Sequence, residues 1–192
     1  SVRSQADDWE DRGLSERCIT RNGLPGEMMG SGQQPLKEIV QTPGYVSIVM
    51  PYGYVRIIPV NEQAPLGSAI RQWNGDSRGR WEGDTLVVDT IGIKPETWLD
   101  TRGLQHSEQL HLIERFDKTG PDSYTWTVTV EDPVFFAKPW TYQNEVERLD
   151  FPRLLPARCA DGEVDAEHML PTLGATHENP PTFPNGWIGV EP

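Results

Sequence analysis

Long apolar runs are what this 192-residue sequence has least of: its most apolar stretches, Tyr45 to Met50 and Leu86 to Val88, are far too short to cross a bilayer as helices. Direct insertion into a membrane is not expected. Basic charge is also scarce, with 17 Lys and Arg against 29 Asp and Glu for a formal net charge of −12. That balance removes the positive footprint needed to hold a phosphate backbone or an anionic lipid surface, so nucleic acid is not an expected partner. Cysteine is limited to Cys18 and Cys159, near opposite ends, and neither has a second Cys or a His at ligand spacing. No metal or cofactor site is expected from them. They either pair, closing a long loop for about 5 kcal/mol in the chain-entropy view, or remain two buried thiols.

What is present is turn chemistry between short β-prone runs. The chain reads as one domain with three stretches: a polar, Gly-rich extension over residues 1–35, an antiparallel β region over 36–150, and a Pro-rich tail over 151–192. A short helix is expected near Asp7 to Arg17, where early acids and a late Arg suit the helix dipole. Seven strands are expected: Leu36 to Gln41, Tyr45 to Met50, Tyr54 to Val60, Asp84 to Ile91, Gln109 to Phe116, Ser123 to Glu131 and Thr141 to Leu149. Thr42-Pro43-Gly44, Pro51-Tyr52-Gly53 and Lys118 to Asp122 supply the reversals. Short connections make consecutive strands antiparallel neighbours, and closure into a lipocalin-like barrel or half-barrel would hide the edges.

Alternation gives the finer detail. In Ser123 to Glu131, Tyr124, Trp126, Val128 and Val130 share the apolar face. A turn centred on Gly120 would set Phe116, Glu114, Leu112 and Leu110 opposite them in that order.

The run Arg71-Gln72-Trp73-Asn74-Gly75-Asp76-Ser77-Arg78-Gly79-Arg80-Trp81-Glu82-Gly83-Asp84-Thr85-Leu86-Val87-Val88 resembles the signature of a large family of exported bacterial proteins of uncharacterised function. Residues 39–45 with Arg56-Ile57-Ile58-Pro59, residues 110–116, and residues 129–133 with Lys138-Pro139-Trp140-Thr141 stand in that family's order and spacing. The resemblance covers roughly residues 16–141. It implies an exported protein, periplasmic or extracellular, in a mature form without its leader. It also favours a bond between Cys18 and Cys159. A His that follows the Arg-Ile-Ile-Pro block in the family is replaced here by Asn61-Glu62-Gln63.

Gly75-Asp76-Ser77-Arg78-Gly79 fits the pattern of a serine nucleophile elbow, but a segment rich in Gly and Arg that leads into another strand lacks the strand–turn–helix setting the elbow needs. It is read as a turn tied by Asp76, Arg78 and Arg80. His106 and His111 are an odd interval apart and would point to opposite faces of one strand. The informative anomaly is Glu114, which alternation places on the apolar face with Leu110, Leu112 and Phe116. A buried carboxylate needs a partner. Alternation in the last strand turns Tyr142, Asn144, Val146 and Arg148 inward, so a Glu114–Arg148 ion pair is expected, or a polar-lined cavity for a small ligand. Three roles follow. The first is an exported β domain binding a small or partner-supplied ligand through Trp126, Tyr142, Asn144, Arg148 and Tyr124. The second is an acid/base enzyme of isomerase, lyase or hydrolase type using Glu114 or His111. The third is an accessory subunit that docks a protein partner through its termini.

Overall fold

A computed structural model describes residues 36–50, 54–61, 63–67, 69–100 and 103–150, together with Leu14, Ile19, Thr20 and Pro25. The expected helix near Asp7 to Arg17, the Pro-rich tail and both cysteines lie outside the described residues, apart from Leu14. The chain divides into two compact units, one of them Thr20–Arg158 and the other Ser1–Ile19 with Cys159–Pro192. All the described strands belong to Thr20–Arg158.

Among the described residues eight strands form two antiparallel sheets and no helix occurs. The smaller sheet runs β1 (Glu38–Thr42), β2 (Tyr45–Val49) and β3 (Val55–Pro59); the larger runs β4 (Asp76–Glu82), β5 (Thr85–Ile91), β6 (His111–Lys118), β7 (Ser123–Glu131) and β8 (Trp140–Glu147). Each sheet is a meander of sequence neighbours. Gly44 takes φ 80° in the β1–β2 turn and Gly83 φ 61° in the β4–β5 turn, values that side chains disfavour. No ladder joins β3 to β4 or β8 to β1, so the described strands do not close into a barrel.

Seven expected strands match β1, β2, β3, β5, β6, β7 and β8, but β4 was expected to be a turn. Its sequence, Asp-Ser-Arg-Gly-Arg-Trp-Glu, has little β propensity, and tertiary packing overrides that preference. Gly79 faces inward so closely that a Cβ there would lie 2.7 Å from Val60 Cγ1 and 3.0 Å from Ile58 Cγ2, so the bare backbone lets β4 nestle against the end of β3. The expected ties are present: Asp76 pairs with Arg78 at 2.9 Å and accepts the Leu66 amide at 2.8 Å, while Arg80 pairs with Glu82 and Asp89.

The β6–β7 register also needs correction. Phe116 faces Trp126, Glu114 faces Val128 and Leu112 faces Val130, a shift of two residues from expectation, because the turn centres on Pro121 rather than Gly120. An even shift keeps every side chain on its face.

The inner faces of the two sheets share one core. Val46, Ile48 and Ile58 from the small sheet meet Leu86, Val88, Leu112, Phe116, Trp126, Val128 and Val130 from the large one. Each such side chain contributes roughly 1.5–3 kcal/mol of burial.

Candidate functional site

Two polar arrangements interrupt the inner face of the large sheet. The first is buried. Arg56 on β3 is 3 % exposed and Glu114 on β6 is fully enclosed. The guanidinium grips the carboxylate with two nitrogens, Nη1 donating to Oε1 at 2.9 Å and Nη2 to Oε2. It also donates to Ser77 Oγ on β4 and to Thr90 Oγ1 on β5, each at 2.9 Å from Nη2, while Ser77 and Thr90 bond to each other at 2.9 Å. Trp126 on β7 completes the set, its indole N–H donating to Glu114 Oε1 at 3.0 Å. Five consecutive strands thus each contribute one group, and the fork geometry of arginine lets one side chain satisfy the acceptors on three of them.

Glu114 therefore has the buried partner its position demands, but that partner is Arg56 and not Arg148. Arg148 is 75 % exposed and reaches Asp122 at 3.3 Å. Asn144 and Tyr142 share the inward face of β8, opposite Trp126 and Val128, yet both are exposed, because β8 is the edge strand and the small sheet does not cover it. Tyr142 packs edge-on to Trp126, with ring centroids 5.9 Å apart. Ser77 is enclosed within β4, its hydroxyl engaged by Arg56 and Thr90, an environment with no histidine to activate it.

His111 lies on the opposite face of β6 from Glu114. Its Nε2 is 3.0 Å from Asp89 and its Nδ1 3.1 Å from Glu131, within a ladder of charges that continues through Arg80 and Glu82 to Arg115. The sheet separates the two residues, so His111 and Glu114 cannot serve one substrate. In this ladder Glu82 is held below the usual carboxylate range chiefly by the hydrogen bond from Arg115, and Arg80 is raised chiefly by its bond to Asp89.

His106 is a structural residue. It is buried, with Nε2 2.7 Å from Thr97 Oγ1 and Nδ1 2.9 Å from the Ser107 carbonyl, and burial pushes its pKa below the ordinary histidine value. Asp132 beside it accepts the Ser107, Val134 and Phe135 amides and the Ser107 hydroxyl; these bonds outweigh the raising effect of burial and hold its pKa down.

The second arrangement is open. Between the sheets, at the end formed by the β4–β5 and β6–β7 turns, lies a cleft of about 640 Å3. Ile39, Val46, Ile48, Leu86 and Phe116 give it apolar walls, Trp81 and Tyr124 add aromatic ones, and Gln41, Asp84, Lys118 and Ser123 bring polar groups. Trp81 is 44 % exposed, a large aromatic surface left uncovered in the cleft. Tyr124 packs on Phe116 with centroids 5.9 Å apart; burial, and next the charge of Glu114, push its phenol up to about 12. Tyr124 is the one ligand-binding candidate from the sequence that lines this cleft. Trp126 and Glu114 lie deeper, in the buried network.

Sequence reasoning missed Arg56 and Trp81. A signal for Arg56 was present in Val-Arg-Ile-Ile-Pro, where an arginine interrupts an otherwise apolar strand.

Comparison with family models, with curated proteins and with solved structures finds no match to this chain.

Proposed function

We propose that the two sheets act as a half-barrel whose open cleft binds a small amphipathic molecule, and that the protein does so outside the cytoplasm. The observation that carries the reading is the cleft: about 640 Å3, with buried apolar walls from Val46, Ile48, Leu86 and Phe116 and with exposed Asp84 and Lys118 among its polar lining. Ligand sites have this composition, an apolar body with a few convergent polar groups. The buried Arg56–Glu114 network favours binding over acid/base chemistry, because Glu114 is enclosed and does not line the cleft. The extracytoplasmic part of the proposal rests on the resemblance carried by residues 71–88.

The test uses N-phenylnaphthylamine, a neutral dye that brightens in apolar surroundings. Wild-type protein should show saturable one-site binding. Ile39→Trp, at an exposed position on the edge strand that lines the cleft, should narrow the cleft and weaken dye binding without lowering the denaturation midpoint. A wild type that leaves the dye dark, or an Ile39→Trp variant that binds it as well as wild type, refutes the proposal.

A further inference from the structure

The inner face of the large sheet changes character row by row toward the cleft mouth. Trp81, Leu86, Phe116 and Trp126 stand in register as one apolar row. The next row outward is polar: Lys118 faces Tyr124, and Asp84, in the β4–β5 turn one residue before the Thr85–Asp117 pair, lies at the Lys118 end of β6. Asp84, Lys118 and Tyr124 all line the cleft. Facing opposite charges on neighbouring strands gain from pairing. Arg148 and Asp122 pair although they are 75 % and 63 % exposed. Asp84 and Lys118 do not: neither has an ion-pair or hydrogen-bond partner among the described residues, and the Tyr124 hydroxyl has none either.

We infer that the cleft selects a zwitterionic amphiphile, an α-amino carboxylate carrying an extended apolar chain, with its carboxylate on Lys118 and its ammonium on Asp84. This rests on the cleft being a binding site. A simple anion would satisfy Lys118 but sit beside the Asp84 carboxylate, and a simple cation would meet the reverse conflict. A head group carrying both charges one carbon apart complements both residues while its chain lies along Trp81, Leu86 and Phe116. Tyr124, whose phenol is pushed up to about 12, stays protonated at neutral pH and can donate a further hydrogen bond to the carboxylate.

The test is displacement of the bound neutral dye by four ligands with matched chains, all below their micelle concentrations: α-aminododecanoate, dodecanoate, dodecylammonium and dodecanol. The zwitterion should displace the dye at concentrations about fivefold lower than the better of the two singly charged ligands, as expected for one additional exposed ion pair. Lys118→Met should transfer the preference to dodecylammonium, and Asp84→Asn should transfer it to dodecanoate; both residues are exposed, so folding is unaffected. If dye binds but the zwitterion does no better than a singly charged ligand, or if neither variant moves the preference, the inference is wrong and the cleft reading stands. A wild type that never binds dye removes both.

Discussion

Arg56 should be the residue whose loss this fold tolerates least. It makes five hydrogen bonds from a position 3 % exposed, two to Glu114 and three to the Ser77 and Thr90 hydroxyls. Arg56→Met leaves a fully enclosed carboxylate with the Trp126 indole as its remaining donor, and breaking a buried pair in this way costs about 3–5 kcal/mol. Glu114→Leu strands the guanidinium between two hydroxyls, at about the same cost. The double variant differs in kind. Ser77 and Thr90 keep their mutual bond, and only the Trp126 N–H loses its acceptor, at about 1–3 kcal/mol. The double variant should therefore be more stable than either single one, with a coupling of several kcal/mol in the double-mutant cycle. Arg56→Lys, which keeps the charge but not the fork, should fall between wild type and Arg56→Met. Urea titration followed by tryptophan emission and by far-ultraviolet circular dichroism measures each. Additive costs, or an Arg56→Met variant within about 1 kcal/mol of wild type, would mean that the network does not hold the sheets together.

Two further outcomes follow from the backbone and from titration. Gly75 and Gly83 both take positive φ, 71° and 61°, but a Cβ on Gly75 would lie 2.7 Å from the Ile91 carbonyl oxygen, whereas one on Gly83 meets nothing within 4 Å. Gly83→Ala should cost about 1 kcal/mol of conformational strain and Gly75→Ala clearly more; equal midpoints in thermal denaturation would contradict the geometry. Because the folded pKa of His106 is lowered from 6.5, the unfolded chain takes up its proton first as pH falls, so stability should be unaffected above about 6.5 and decline below it until the folded form protonates. Asp132, lowered from 3.8, contributes stability above that value and loses it as pH falls through its folded pKa. Midpoints measured from neutral to acid should show two separate declines, with His106→Asn flattening the upper one and Asp132→Asn the lower; a decline between neutrality and pH 5 that persists in His106→Asn would refute the assignment.

Much of the large sheet was legible from alternation. β7 alternates without a fault over nine residues, and Glu114 stood out as a carboxylate that needed a partner. The partner's identity was not legible, because alternation reports which face a side chain takes and not how deeply that face is covered. Arg148 was assigned to the inward side of the last strand, but β8 is an edge that the small sheet does not reach. Arg56 lies on a strand of five residues, too short for periodicity to mark its inward face against two isoleucines. β4 escaped for a related reason: what makes it a strand is the fit of Gly79 beneath Val60 and Ile58, a contact between residues distant in sequence that propensity does not record.

The position of the cleft follows from the same strand. Ser77, Gly79 and Trp81 are successive inward residues of β4, and along them a hydroxymethyl gives way to bare backbone and then to an indole. Where Gly79 stands, the end of β3 comes against bare backbone, and the Arg56 fork can span to Ser77, Thr90 and Glu114. One step further, Trp81 occupies the space between the sheets, and its partly exposed ring borders the opening with Ile39 and Gln41 of β1 on the other side. A polar group in the closed part has to be satisfied within the chain, and the network there is complete. A polar group in the open part can be left to solvent or ligand, and Asp84, Lys118 and Tyr124 are left so. The distribution of satisfied and unsatisfied groups along one face of one sheet thus separates the part of this molecule that stabilises the fold from the part whose polar groups are left open.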